Sequence, residues 1–273
     1  MKWSCLPVSL FAPILQGEMT VEDWAVAAKE MGMDAIDLSI LFVKHRTPSA
    51  IGQLKQQLAR AQMPVAMITT YPDFSQPDPM QRERELAYAI SDIATAAELG
   101  AQYLRITAGQ YYPGQDDDET IKNIVSCFET CCKYAERWGV ELLMENHSKP
   151  GAWEREDFDF CTERFLKLVE ATEGLPVGIN FDTANTYADG ADAMEVFKKV
   201  YHRVETIHVN DLKSKSPLTF CGIGDGSAPV LEIFRIAKQK GFKGLLSIEE
   251  VGGAGLDGIR KSFANSKALW EQA

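Results

Sequence analysis

The octapeptide VELLMENH, residues 140–147, reads as a strand with two chemically different faces. Leu142 and Met144 alternate with Leu143, Glu145 and His147, and Gly139 immediately before it is a helix stop. If the apolar pair faces covering helices, Glu145 and His147 point the other way. A strand that turns acid and imidazole toward an interior needs a polar lumen to receive them.

The same pattern recurs along the chain. Short β-branched or apolar runs at 3–11, 34–40, 64–71, 102–108, 140–147, 177–183, 204–211 and 245–251 alternate with longer stretches of helical periodicity. In residues 85–99, for instance, Leu86, Ala89, Ile90, Ile93, Ala94 and Ala97 recur at three- and four-residue spacing. Thr20 with Asp23 resembles a capping box, and Ser227 with Pro229 marks another helix start. Gly32, Gly100, Gly139, Gly174 and Gly241 each separate a helical stretch from the next strand. Eight such units predict an α/β fold, a (β/α)8 TIM barrel, as a single domain over residues 1–273. The first strand is not followed by Gly-x-Gly-x-x-Gly, so a dinucleotide-binding open sheet has no support.

Composition narrows the function classes. A content of 45% hydrophobic and 25% charged residues is that of an ordinary globular protein. A net charge of −11 argues against a nucleic-acid partner, which needs clustered Lys and Arg. No apolar run approaches the ~20 residues that span a bilayer, and the N-terminus lacks a secretory signal pattern, so a cytoplasmic protein without a membrane partner is expected. The six cysteines show no metal-site spacing. Cys127 and Cys131, one turn apart, are read as helix packing.

Phasing the last strands extends the first observation. Ile179 and Phe181 outward turn Asn180 and Asp182 inward, Ile207 and Val209 outward turn Thr206, His208 and Asn210 inward, and Leu246 and Ile248 outward turn Ser247 and Glu249 inward. Glu145, Asp182, His208 and Glu249 thus sit late in four successive strands, each about one βα unit from the next. Strand ends at this face build barrel active sites. Three converging carboxylates would repel one another without a cation. One divalent metal ion is therefore expected, with Mn or Mg favoured by the oxygen-rich donor set and Co, Fe or Zn also compatible. Protein ligands alone leave positions open on the ion, which marks it as catalytic.

These segments, VELLMENH (140–147), VGINFDTANTY (177–187), ETIHVNDLK (205–213), CGIGDG (221–226) and GLLSIEEV (244–251), resemble the xylose isomerase-like barrel superfamily. The likeness is to its sugar phosphate isomerase/epimerase group, which includes hydroxypyruvate isomerases, ketose 3-epimerases and inosose dehydratases. It implies metal ligands at Glu145, Asp182, His208 and Glu249, acid/base roles for Glu145 and Glu249, and a small carbohydrate as substrate. It also suggests a homo-oligomer. Two departures narrow the expectation. Asn185 stands where many members have a His, and His208 is followed closely by Asn210, Asp211, Lys213 and Lys215 rather than by an Arg, so a ketohexose 3-epimerase is disfavoured. Only four histidines, His45, His147, His202 and His208, are present, too few at strand ends for a trinuclear zinc endonuclease.

The resulting expectation is a metal-dependent isomerase or epimerase of a small sugar, sugar phosphate or sugar acid. The alternatives are an inosose- or dehydroshikimate-type dehydratase and a non-catalytic sugar-binding barrel. His147, Asn185, Lys213, Arg105 and Trp153 are candidate substrate contacts. Arg105, inward between Leu104 and Ile106, is expected to pair with an interior acid such as Asp37. Lys213 is a candidate contact for an anionic substrate, although a loop lysine beside Lys215 is more often just solvated, and GIGDG (222–226) reads as a phosphate cradle or as turn punctuation. Trp153 closes over the substrate or packs its loop. Acidic residues 116–119 are read as a helix start rather than a second metal site.

Overall fold

The computed structural model describes residues 1–148 and 154–273. Eight parallel strands form one sheet: β1 (Lys2–Leu6), β2 (Ile36–Ser39), β3 (Val65–Thr69), β4 (Tyr103–Ile106), β5 (Glu141–Glu145), β6 (Val177–Asp182), β7 (Val204–Val209) and β10 (Leu245–Glu249). Their spatial order is β1-β10-β7-β6-β5-β4-β3-β2. The ends meet, because the N–H groups of Asp34 and Ala35 donate to the Trp3 carbonyl at 2.9 and 3.2 Å. Across the same seam the Ser4 hydroxyl donates to Asp37 at 3.0 Å. The sheet is a nearly closed (β/α)8 barrel.

Alternation decides which side chains the helices cover. Leu142, Met144, Ile179, Phe181, Ile207, Val209, Leu246 and Ile248 are all buried beneath them, each contributing ~1.5–3 kcal/mol of transfer free energy. The helix Asp117–Trp138 shows the complementary pattern. Ile121, Ile124, Cys127, Phe128, Cys131, Cys132 and Ala135 face inward at three- and four-residue steps. Asp116 caps its start by accepting from the Glu119 N–H, and Gly139 closes it in the left-handed conformation. The thiols of Cys127 and Cys131 are therefore core groups, and burial pushes Cys127 up to about 11. Thr20 and Asp23 form the expected reciprocal capping box.

Three sequence expectations change. The first run, 3–11, stops at Leu6, because Pro7 cannot donate to a ladder and the chain turns into the helical segments Val8–Leu10 and Phe11–Gln16. Residues 146–147 leave the β5 ladder. The stretch after β7 forms an antiparallel hairpin, β8 (Asp211–Lys215) with β9 (Leu218–Cys221), which carries no apolar alternation to announce it. Past the buried Asp211 and Leu212, pairing rather than burial makes these strands.

Within the lumen, Asp37 accepts from Ser4 and from Ser247, which comes unusually close. Burial pushes its carboxyl up from 3.8 to about 6, against the lowering effect of Ser247, His208 and Ser4. Its folded-state pKa exceeds the unfolded one, so this contribution to stability is fully present below about pH 3.8 and is lost as pH rises through about 6. Asp37→Asn is accordingly expected to be more stable than the parent at pH 7, by on the order of 1–3 kcal/mol, with the advantage gone near pH 4. Urea denaturation at both pH values checks it; equal differences at the two would refute the burial argument.

Candidate metal centre

Glu145, Asp182 and Glu249 are the last residues of β5, β6 and β10, and His208 is the penultimate residue of β7. Parallel register sets their height: Asp182 pairs with His208, Glu145 with Asn180, and Glu249 with Leu6. Each side chain offers one donor atom, and these atoms lie within 4.8 Å of one another. All four residues are buried. The expected inward ring thus converges at the C-terminal mouth.

Each donor is oriented. The Glu145 carboxylate meets His208 Nδ1 at 2.8 Å through Oε1 and Arg105 Nε at 2.9 Å through Oε2. Asp182 Oδ1 accepts from the N–H groups of Ala184 and Asn185, both at 2.8 Å. The Asn210 amide donates to Asp182 Oδ2 at 3.1 Å and to Glu249 Oε2 at 2.9 Å, tying two carboxylates together. Asn146 clamps the ends of β5 and β6, donating to the Asp182 carbonyl at 2.9 Å and accepting its N–H at 2.8 Å.

The electrostatics fit a cation. Burial alone would raise the Glu145 pKa, but His208 and Arg105 overcome it and hold the carboxyl well below the usual carboxylate range. Burial would likewise lower His208, and the Glu145 charge overcomes that and raises it. Three buried carboxylates face one buried guanidinium, which leaves two negative charges, the charge of one divalent ion. His208 Nε2 is buried without a hydrogen-bond partner. Three carboxylates and an imidazole form a donor set suited to a hard or borderline divalent metal.

The other expected contacts separate. Arg105 does not reach Asp37. Register places Asp37 level with Met67 and Tyr103, and Arg105 level with Thr69, two residues nearer the mouth, where Glu145 of the adjacent strand is its neighbour. Its guanidinium also donates to the Thr70 carbonyl at 3.1 Å and lies 5.0 Å from the Tyr71 ring centroid. His147 is buried, with Nδ1 in close contact with Asp157. Asn185 begins a short helix beside Asp182, accepts from the Ser148 hydroxyl, and leaves its Nδ2 buried without a partner. Lys213 is exposed on the β8–β9 hairpin. Trp153 lies outside the described residues.

The GIGDG turn cradles an anion, but that anion is the carboxylate of Asp211, which accepts from Gly224 and Gly226. Sequence reasoning gave no role to Asn146, Asn210, Asp157 or Asp211. Asn210 shared the phase of His208 and was open to detection; Asp157, ten residues beyond His147 in irregular chain, was not. A cavity of about 750 Å³ at the other end of the barrel is lined by Leu143, Gly178, Arg203 and Glu205, away from the converging donors.

A model of the xylose isomerase-like TIM barrel family matches residues 25–269. The chain belongs to this family. This xylose isomerase-like barrel is similar to inosose dehydratase of Clostridium botulinum, 27% identical over 127 residues, 41% of this chain and 40% of that protein. The match therefore spans less than half the length of that relative. Among solved structures, the IolI protein with a bound zinc atom has a TM-score of 0.81 at 15% identity, covering 100% of this chain and 99% of that one. A D-tagatose 3-epimerase-like protein has a TM-score of 0.80 at 17% identity, covering 100% and 98%. At such identities these two likenesses carry the fold. No helix among the described residues is long and apolar enough to cross a membrane.

Proposed function

We propose that this barrel is a divalent-metal-dependent isomerase or epimerase of a small polyhydroxylated carbonyl compound, working by proton transfer next to the carbonyl. The observation that carries this is the pairing of two buried glutamates, Glu145 and Glu249, with Asp182 and His208 in one donor ring. A pure binding barrel has no need of both glutamates. Mn²⁺ or Mg²⁺ suits the oxygen-rich set, with Co²⁺, Fe²⁺ and Zn²⁺ also compatible. When bound, the ion supplies Lewis acidity that favours enolisation of a carbonyl bearing a neighbouring hydroxyl.

Glu145 and Glu249 divide the proton transfers. One carboxylate removes the α-proton, and the other returns a proton to the opposite face or to the neighbouring carbon, giving epimerisation or isomerisation. Arg105 and His208 keep Glu145 ionised, while Asn210 fixes the Glu249 oxygen that faces Asp182. Asp157 fixes the His147 ring at the lip, positioned to hydrogen-bond a substrate hydroxyl. Asn185 Nδ2 offers a second, unspent donor.

A dehydratase is the second reading, favoured by the likeness to inosose dehydratase. It shares the first proton removal and then expels a β-hydroxyl as water. Solvent deuterium exchange across ketoses, hydroxypyruvate and inososes, followed by product mass, tests both. Label at the α-carbon with unchanged skeleton mass supports isomerase or epimerase chemistry, and loss of water supports the lyase. Metal-loaded protein that exchanges none of these protons would refute both.

A further inference from the structure

His147 and the carboxylate that holds its ring lie ten positions apart in the chain. Asp157 is fully buried, yet it belongs to irregular chain that is ordered only by the short 3-10 turn Phe158–Phe160. Its place against the imidazole is therefore set by what its own segment pairs with. That partner is the loop after β4. Gln110 and Asp157 form an isolated antiparallel bridge. On either side of it the Tyr111 N–H donates to the Glu156 carbonyl and the Phe158 N–H to the Gly109 carbonyl, both at 2.8 Å. The Arg155 N–H adds a bond to Gln110 Oε1 at 3.3 Å.

Gln110 is in turn held from the loop after β3. Asp73 Oδ1 accepts from the Gln110 N–H and the Ser75 hydroxyl, both at 2.9 Å. Its Oδ2 accepts from Gln110 Nε2 at 3.0 Å and the Tyr112 hydroxyl at 2.6 Å. A carboxylate has about four acceptor positions, and all of them are filled here. Gly109 makes so close an approach possible. Its φ is +116°, and a Cβ on it would come within 2.4 Å of both Asp73 Oδ1 and Ser75 Oγ. Any side chain at 109 would push the two loops apart.

Bonding between loops ordinarily contributes stability alone. This network, however, ends on the one residue whose carboxylate orients the imidazole at the lip. We infer that Asp73 and Gln110 are positioning residues, which act through the bridge to Asp157 to fix the His147 ring where it meets a substrate hydroxyl. The inference rests on the reading of His147 as a substrate contact given above. Among the described residues neither Asp73 nor Gln110 bonds to a member of the donor ring, so metal content should stay at the parental value when either is changed.

Two variants test it in magnesium-loaded full-length protein. Asp73→Asn keeps the size of the side chain but sets an amide N–H₂ against donors. Gln110→Ala removes only the side-chain links and is the milder change should Asp73→Asn fail to fold. The first readout is the ring spectrum of the four histidines in ¹⁵N-labelled protein, with His147 assigned through His147→Gln. Both variants are expected to shift or broaden the His147 ring signals and to leave those of His45 and His202 in place. Thr20→Ala, which opens the capping box of the helix Val21–Met31, is the destabilised control and should leave the His147 ring unmoved. An unmoved His147 ring in folded Gln110→Ala and Asp73→Asn overturns the inference.

The second readout is α-proton exchange with D-fructose, D-ribulose and scyllo-inosose at varied concentration. Loss of one oriented hydrogen bond to bound substrate should raise KM about tenfold, with kcat changed less than about threefold. In a His147→Gln background, Asp73→Asn should add less than about twofold, because the group it positions is already gone. Equal effects in both backgrounds, or a parental KM in His147→Gln itself, overturn the inference and leave proton transfer standing. Absence of exchange with every compound would overturn proton transfer, while the ring spectra still decide whether Asp73 and Gln110 position His147.

Discussion

Glu249→Gln is expected to reduce α-proton exchange by about 10²–10⁴-fold even at saturating metal, because the amide cannot accept a proton. The substitution preserves volume and leaves an oxygen to accept from Asn210 Nδ2, now at 2.9 Å from Glu249 Oε2, so the fold should survive. It also lowers the uncompensated charge of the donor ring from two to one, and metal affinity should fall with it. Two readouts keep the effects apart. Elemental analysis gives metal per chain, and deuterium incorporation measured with metal in excess gives the chemical defect. Unchanged exchange in the metal-replete variant would remove Glu249 from the acid/base pair, whatever its metal content.

Arg105→Met should lower stability by about 3–5 kcal/mol, since it strands the Glu145 carboxylate in the barrel interior. Both side chains are essentially inaccessible, at 1% and 0% relative exposure, so water cannot take the place of the lost partner. The change also forfeits the bond to the Thr70 carbonyl and the contact with the Tyr71 ring. For a chain of this size the melting temperature should drop by about 10 °C. Added divalent metal should recover a substantial part of that loss, because a cation can neutralise Glu145 in place of the guanidinium. Recovery by metal distinguishes lost charge from lost packing: an equal deficit with and without metal would mean that Arg105 acts as a packing residue. Arg105→Met with Glu145→Leu should restore much of the stability while abolishing exchange.

Strand phase explains how much could be read in advance. Each barrel strand carries its own two-residue period, and helices must cover one face of it, so Ile179 and Phe181 outward leave Asp182 no choice but inward. The same reasoning phased Glu145, His208 and Glu249, and the helix stops at Gly100 and Gly139 marked where strands begin. These are local properties of the chain. The β8–β9 hairpin escaped because, past the buried Asp211 and Leu212, its strands are short, polar and largely exposed, with no repeated apolar face to betray them. Arg105 was assigned the wrong partner because phase says which way a side chain points and not how high in the barrel it stands.

Sequence alone therefore determined the alternating βα order, the inward ring of Glu145, Asp182, His208 and Glu249, and the membership that its motifs suggested. Tertiary structure decided the rest: which acid Arg105 neutralises, that Asp157 holds His147, that Asn210 links Asp182 to Glu249, and that Asp211 fills the GIGDG turn. Periodicity is written into consecutive residues, whereas these pairings depend on the stagger of neighbouring strands and on irregular loops, which bring together residues far apart in the chain.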